Sequence, residues 1–126
     1  MKQKVVGIYD AGFDQWELVV REGAGGEFHT RPEKGLAPRI KVGIDQDWQS
    51  AVTTLTHEAL ELAFQKVHVR FLPASHYSNS SASYLFVMSH EQFAEASAWA
   101  AEFLCSSLPD MAKAYKKWHK KTKKRR

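Results

Sequence analysis

Apolar residues change their period twice along this chain. "VVGIY" (5–9) and "WELVVR" (16–21) are short β-rich runs flanking the polar, glycine-bearing "DAGFDQ". That pattern predicts a β-hairpin over roughly 3–9 and 16–21. "EGAGGEFHTRPEKGLAP" (22–38) is rich in glycine and proline and reads as a loop. In "RIKVGI" the side chains alternate, Ile40, Val42 and Ile44 against Arg39, Lys41 and Gly43, as in a half-buried strand. The period then lengthens. Val52, Leu55, Thr56, Ala59, Leu60, Ala63, Phe64 and Val67 recur at steps of three and four, which predicts an amphipathic helix over about 47–65. Asp45 or Asp47 can cap its start by accepting from a free N–H of the first turn.

Alternation returns in "KVHVRFLP" and predicts a strand from about 67 to 72. "ASHYSNSSAS" (74–83) is small and polar, hence a loop, and "YLFVM" (84–88) is a continuous apolar run that reads as a buried strand. Ser89 and Gln92 have capping-box spacing, each side chain bonding the other's backbone N–H. Phe93, Ala96, Ala100, Phe103 and Leu104 supply the apolar face of the helix they open. "SSLPD" is expected to break that helix, and Ser107, Pro109 and Asp110 to start another. The layout is α+β: an N-terminal β-hairpin and further strands packed on a long amphipathic helix, with two C-terminal helices.

With 126 residues, 44% of them hydrophobic, one domain with one core is expected. No apolar run approaches the ~18 residues of a membrane span, and "MKQKVVGIYD" lacks a signal-type apolar stretch. The one cysteine, Cys105, lies in apolar-rich "AEFLCSSL" and reads as a buried thiol. A cytoplasmic setting follows (host cytoplasm for a viral chain), with no membrane contact. Trp16, Trp48 and Trp99 are expected in the core.

Charge divides the chain unevenly. Residues 113–126, "KAYKKWHKKTKKRR", hold nine of the 18 cations and no acid; the other nine cations face all 14 acids, a net of −5 for residues 1–112. The division is therefore a single α+β domain over 1–112 and a basic C-terminal helix end or tail over 113–126. Lys116, Lys117, Trp118, Lys120, Lys121, Lys123, Lys124, Arg125 and Arg126 are candidates for contact with nucleic acid, cations for phosphates and an aromatic ring for an unpaired base. An acidic protein surface is the other partner such a tail suits.

One constellation carries chemistry. In "TTLTHEALELA" (53–63), His57, Glu58 and Glu61 spell H-E-x-x-E. Residues i and i+4 of a helix point the same way, so His57 and Glu61 can grip one cation, and both donor types suit zinc. Glu58 would flank it as a general base. A third donor is needed, and His76, His90 and Glu91 are the candidates. Solvent alone also accounts for the set: His57 and Glu61 lie roughly 120° and 160° from the apolar stripe, on the polar half of the helix. Glu91 likewise suits a helix N-terminus without any ligand role.

The strand "RIKVGI", a short gap and "TLTHEALEL" resemble the core of zincin-type metallopeptidases, in particular small zincin-like proteins of phages and bacteria. The resemblance covers about residues 39–105. It implies a zincin-like core, His57 as first metal ligand, Glu58 as catalytic base and zinc as cofactor. Glu61 stands where that family has its second histidine, so the implied activity is at most that of a metal-dependent hydrolase. The alternative is a non-enzymatic protein that binds nucleic acid or an acidic partner through its polybasic end.

Overall fold

A computed structural model describes residues 2–30, 35–73 and 84–124, with the backbone alone for 70–73, 84 and 122–124. The order of elements is β1 (Gln3–Ala11), β2 (Asp14–Arg21), β3 (Gly26–His29), β4 (Arg39–Gly43), α1 (Trp48–Lys66), β5 (Arg70–Pro73), β6 (Tyr84–Val87) and α2 (His90–Lys124). The fold is mixed α+β. A four-stranded sheet runs β1-β2-β4-β3, and β5 pairs with β6 in a separate ribbon.

β1 and β2 are antiparallel and joined through Gly12 and Phe13. Gly12 holds φ at 63°, and a Cβ there would lie 2.0 Å from the Trp99 ring, so both the turn and the packing of α2 require glycine. β2 pairs with β4 in parallel, and β3 pairs antiparallel with the far side of β4. β3 lies inside the stretch read as a loop. Four residues among glycines and prolines are too few to show a period, and β4 supplies the pairing that makes them a strand.

α1 lies against β3 and β4, α2 against β1 and β2, and the two helices touch each other. They share one core: Trp16, Leu18, Ile40 and Val42 from the sheet, Leu55, Ala59 and Leu62 from α1, and Ala96, Ala100, Phe103 and Met111 from α2. Of the three tryptophans expected inside, Trp16 is fully buried and Trp99 packs on the core, whereas Trp48 is 37% exposed and stacks edge-on with Tyr115.

Asp47 caps α1, its Oδ1 accepting from Ser50 N at 2.8 Å. At the other end His68 N donates to Gln65 O and Val69 N to Phe64 O, which closes the helix with His68 at φ 62°. Glycine usually holds that left-handed position. The capping box of α2 forms as its spacing suggests: Gln92 N donates to Ser89 Oγ at 3.1 Å and Ser89 N to Gln92 Oε1 at 2.8 Å.

The two expected C-terminal helices are one. α2 runs 35 residues with Pro109 inside it. Proline removes an i→i−4 bond and normally costs a helix about 3 kcal/mol. Here Ala96, Ala100, Phe103, Ser107 and Met111 form one buried stripe across the proline, while Pro109 and Cys105, four residues before it, face outward. Packing on both sides holds the helix, and the freed carbonyl lies where water reaches it. The same rotation corrects Cys105, which is exposed rather than buried. β6 is also more open than its composition suggests, with Leu85, Phe86 and Val87 41–48% exposed. Among the described residues no helix is long and apolar enough to cross a membrane.

Candidate metal centre

α1 carries His57, Glu58 and Glu61 under the edge strand β3. Gly26 sets the approach: a Cβ there would stand 2.5 Å from Thr54 Cγ2, 3.0 Å from Lys41 O and 3.2 Å from Glu58 Cγ. The bare glycine therefore lets β3 settle onto α1 over Thr54 and Glu58. Its neighbour Glu27 takes the alternate position of the strand, pairing with Arg21 Nε at 3.6 Å and His29 Nε2 at 3.0 Å.

The three side chains of the motif then part company in exposure. His57 is exposed, Glu61 half-buried and Glu58 only 8% exposed. Glu58 is covered because β3 lies over that flank of α1. Burial is the main cause of a raised Glu58 pKa; Glu61 adds to it, His57 opposes it, and Glu27 adds a smaller push. Among the described residues its carboxylate has no hydrogen-bond donor and no cationic partner within ion-pair distance.

His57 Nε2 stands 3.4 Å from Glu61 Oε1, and one donor atom from each of the three residues falls within 4.8 Å of the others. Two donors held about 2.0–2.1 Å from one zinc at a tetrahedral angle stand about 3.4 Å apart. The histidine–glutamate pair has that spacing, and the donor chemistry of one imidazole and two carboxylates fits a divalent cation. His90 and Glu91 are not brought to this cluster. Both are exposed at the start of α2, where Gln92 Nε2 donates to Val67 O at 3.1 Å. Val67 follows His57 by ten positions, about 15 Å along a helix axis. His76 lies outside the described residues, as do Arg125 and Arg126.

Comparison with known proteins returned no match. No family model, curated protein or solved structure resembles the chain closely enough to assign it. The functional reading rests on the residues alone.

Sequence reasoning passed over Gly26 and Glu27, which bury Glu58 and shape its field. The alternation of Gly26 and Phe28 with Glu27 and His29 was the available signal, masked by the glycines before it and the prolines after it.

The basic end is also more ordered than a tail. Tyr115 Oη donates to Gln46 O at 2.8 Å, Trp118 Nε1 donates to Asp45 Oδ1 at 2.7 Å, and His119 Nε2 lies 3.0 Å from Ile44 O. Three side chains of α2 thereby grip the link between β4 and α1. Lys116, Lys117, Lys120 and Lys121 project from this docked segment, all exposed. The backbone of Lys123 and Lys124 continues the helix.

Proposed function

We propose that this chain is a small zincin-like protein with a degenerate H-E-x-x-E centre that holds one divalent metal, zinc being the best fit. The observation that carries the reading is the cluster on α1: Glu58, only 8% exposed and without a hydrogen-bond or ion-pair partner among the described residues, offers a donor atom within 4.8 Å of one from His57 and one from Glu61. Burial disfavours the ionised form of Glu58, and a bound cation would offset that cost. His57 and Glu61 would be the protein ligands. Zinc in such a set supplies a Lewis acid and an acidified water. The chain's own contribution to hydrolysis would be Glu58, which burial makes a stronger base than an exposed glutamate.

Calorimetric titration of the metal-stripped full chain with zinc tests this. The expected result is one site per chain, lost in His57→Ala and weakened in Glu61→Ala. Glu61→His should bind more tightly, since it supplies a second imidazole. Failure of the wild-type chain to take up stoichiometric metal, or binding that survives His57→Ala, would overturn the reading. If metal binds, the hydrolytic extension requires Glu58→Gln to lose cleavage of an unfolded protein substrate while retaining zinc.

A further inference from the structure

The first residues of β1 and the last turns of α2 enclose a cleft of about 160 Å³. Val20, Ile44, Ala114 and Trp118 contribute apolar surface, and among the described residues Lys2, Lys4, Arg21, Lys117 and Lys121 are the charged ones that line it, with no acid. Lys2 and Lys4 precede Lys117 and Lys121 by more than a hundred positions, so folding has brought these cations together. None of the four lysines makes an ion pair among the described residues. Arg21 faces Glu27, and the nearby Asp45 is engaged on both oxygens, by Gly23 N at 2.6 Å and by Trp118 Nε1 at 2.7 Å. Asp45 therefore anchors the Trp118 ring within the cleft.

Converging like charges oppose folding unless an anion answers them. Here the cations surround an apolar floor containing an indole, so the ligand is both anionic and flat. The cleft is smaller than the roughly 300–1,000 Å³ of sites for drug-sized molecules, which suits one ring system. We propose that it binds single-stranded nucleic acid, one unpaired base entering against Trp118 while Lys2, Lys4, Lys117 and Lys121 hold the flanking phosphates. A duplex keeps its bases stacked and paired and cannot deliver one here. An acidic peptide meets the lysines but leaves the apolar floor without a ring. The site extends the basic character of the helix end onto β1, where composition gave no hint of it.

The test uses the full chain and a short fluorescein-labelled oligothymidylate, read by fluorescence anisotropy across a salt series. Lys2→Glu/Lys4→Glu should weaken binding about tenfold or more and reduce the salt slope by about 1.4, at ~0.7 for each single-strand phosphate no longer neutralised. Lys117→Glu/Lys121→Glu should do the same. Lys116→Glu/Lys120→Glu makes an equal charge change on helix-end lysines that do not line the cleft and should weaken binding less, by under about threefold, whereas contact spread over the whole basic helix end would give an equal loss. All six lysines are exposed, so melting temperature checks that each variant folds. Unchanged binding in Lys2→Glu/Lys4→Glu, or an equal loss in Lys116→Glu/Lys120→Glu, would overturn the cleft. Equal affinity for duplex DNA or for polyglutamate would overturn the base-binding mode.

Discussion

The flank of α1 beneath β3 and the cleft at the end of α2 both hold charge that has no ion-pair partner of opposite sign among the described residues, negative in the first and mainly positive in the second. Under β3 the Glu58 carboxylate is buried with no cation at ion-pair distance among the described residues. At the cleft several cations converge from distant parts of the chain, with no acid among the described lining residues. Two ion pairs show the contrast: Arg39 meets Glu17 at 2.7 Å and Lys66 meets Asp14 at 3.2 Å. These two sites differ from such pairs in finding no answering charge among the described residues. They differ from each other in cause. Burial by a neighbouring strand creates the first, and convergence of exposed side chains creates the second.

The strongest way to separate them is to remove the cause of burial. Gly26→Val would place side-chain atoms where Thr54 Cγ2, Lys41 O and Glu58 Cγ already stand. The nearest of these, the methyl of a short β-branched side chain on α1, has little room to yield, so β3 should lift from α1. The expected loss is about 2 kcal/mol in urea denaturation, within the range for overpacking. The Glu58 carboxyl, followed by carbon-detected NMR titration, should then return toward the range of an exposed glutamate. Oligothymidylate binding should be unchanged. A Glu58 titration that does not move would show that β3 is not what buries it.

Glu58→Gln probes the same site with a smaller change. Because the folded-state pKa of Glu58 is raised, the folded protein binds the proton more tightly than the unfolded chain. The ionised carboxylate therefore lowers stability at pH values above its folded pKa, and stability recovers as pH falls through that pKa toward the unfolded value near 4.3. The metal-free Gln variant should be more stable than wild type at neutral pH by on the order of 1 kcal/mol, the low end of the penalty for an unsatisfied buried group. The difference should vanish below about pH 4. Thermal melts at several pH values measure it. In saturating zinc the sign should reverse, and a Gln variant equally stabilised with and without zinc would count against Glu58 lying at a metal site.

Most elements were legible because local pattern and tertiary context agree. α1 has its period, its Asp47 cap and its apolar stripe, and the Ser89–Gln92 box opens α2 where its spacing places it. The failures occur where distant packing overrides local chemistry. Pro109 reads as a helix breaker, yet Phe103, Ser107 and Met111 are buried on either side of it and carry the helix through. Gly26 and Glu27 read as loop until β4 pairs with them. The H-E-x-x-E spacing placed His57 beside Glu61, but nothing local to α1 could show that Glu58 would be covered. The cleft was less legible still, because Lys2 and Lys4 acquire meaning only when β1 comes to lie beside α2.

The smallest effect concerns what holds the basic cleft in shape. Asp45 receives hydrogen bonds from Gly23 N and Trp118 Nε1, and the backbone bond to Gly23 is the largest reason its pKa is lowered. A lowered folded-state pKa means that the carboxylate stabilises the fold at pH values above the unfolded value near 3.9, and that this contribution is lost as pH falls through the folded pKa. Asp45 is exposed, so solvent screening limits the effect to about 0.5 kcal/mol. Asp45→Asn keeps an acceptor of similar shape and removes the charge. It should therefore cost about 0.5 kcal/mol at neutral pH, and the difference should shrink as pH falls through the lowered folded-state pKa. Its effect on oligothymidylate binding separates two roles. If Asp45 chiefly repels phosphate, removing its charge tightens binding; if it chiefly anchors the Trp118 ring, binding weakens. The hydrogen bonds on both its oxygens favour anchoring, and a weakening of about twofold is the expected result, small because the asparagine oxygen still accepts from the indole.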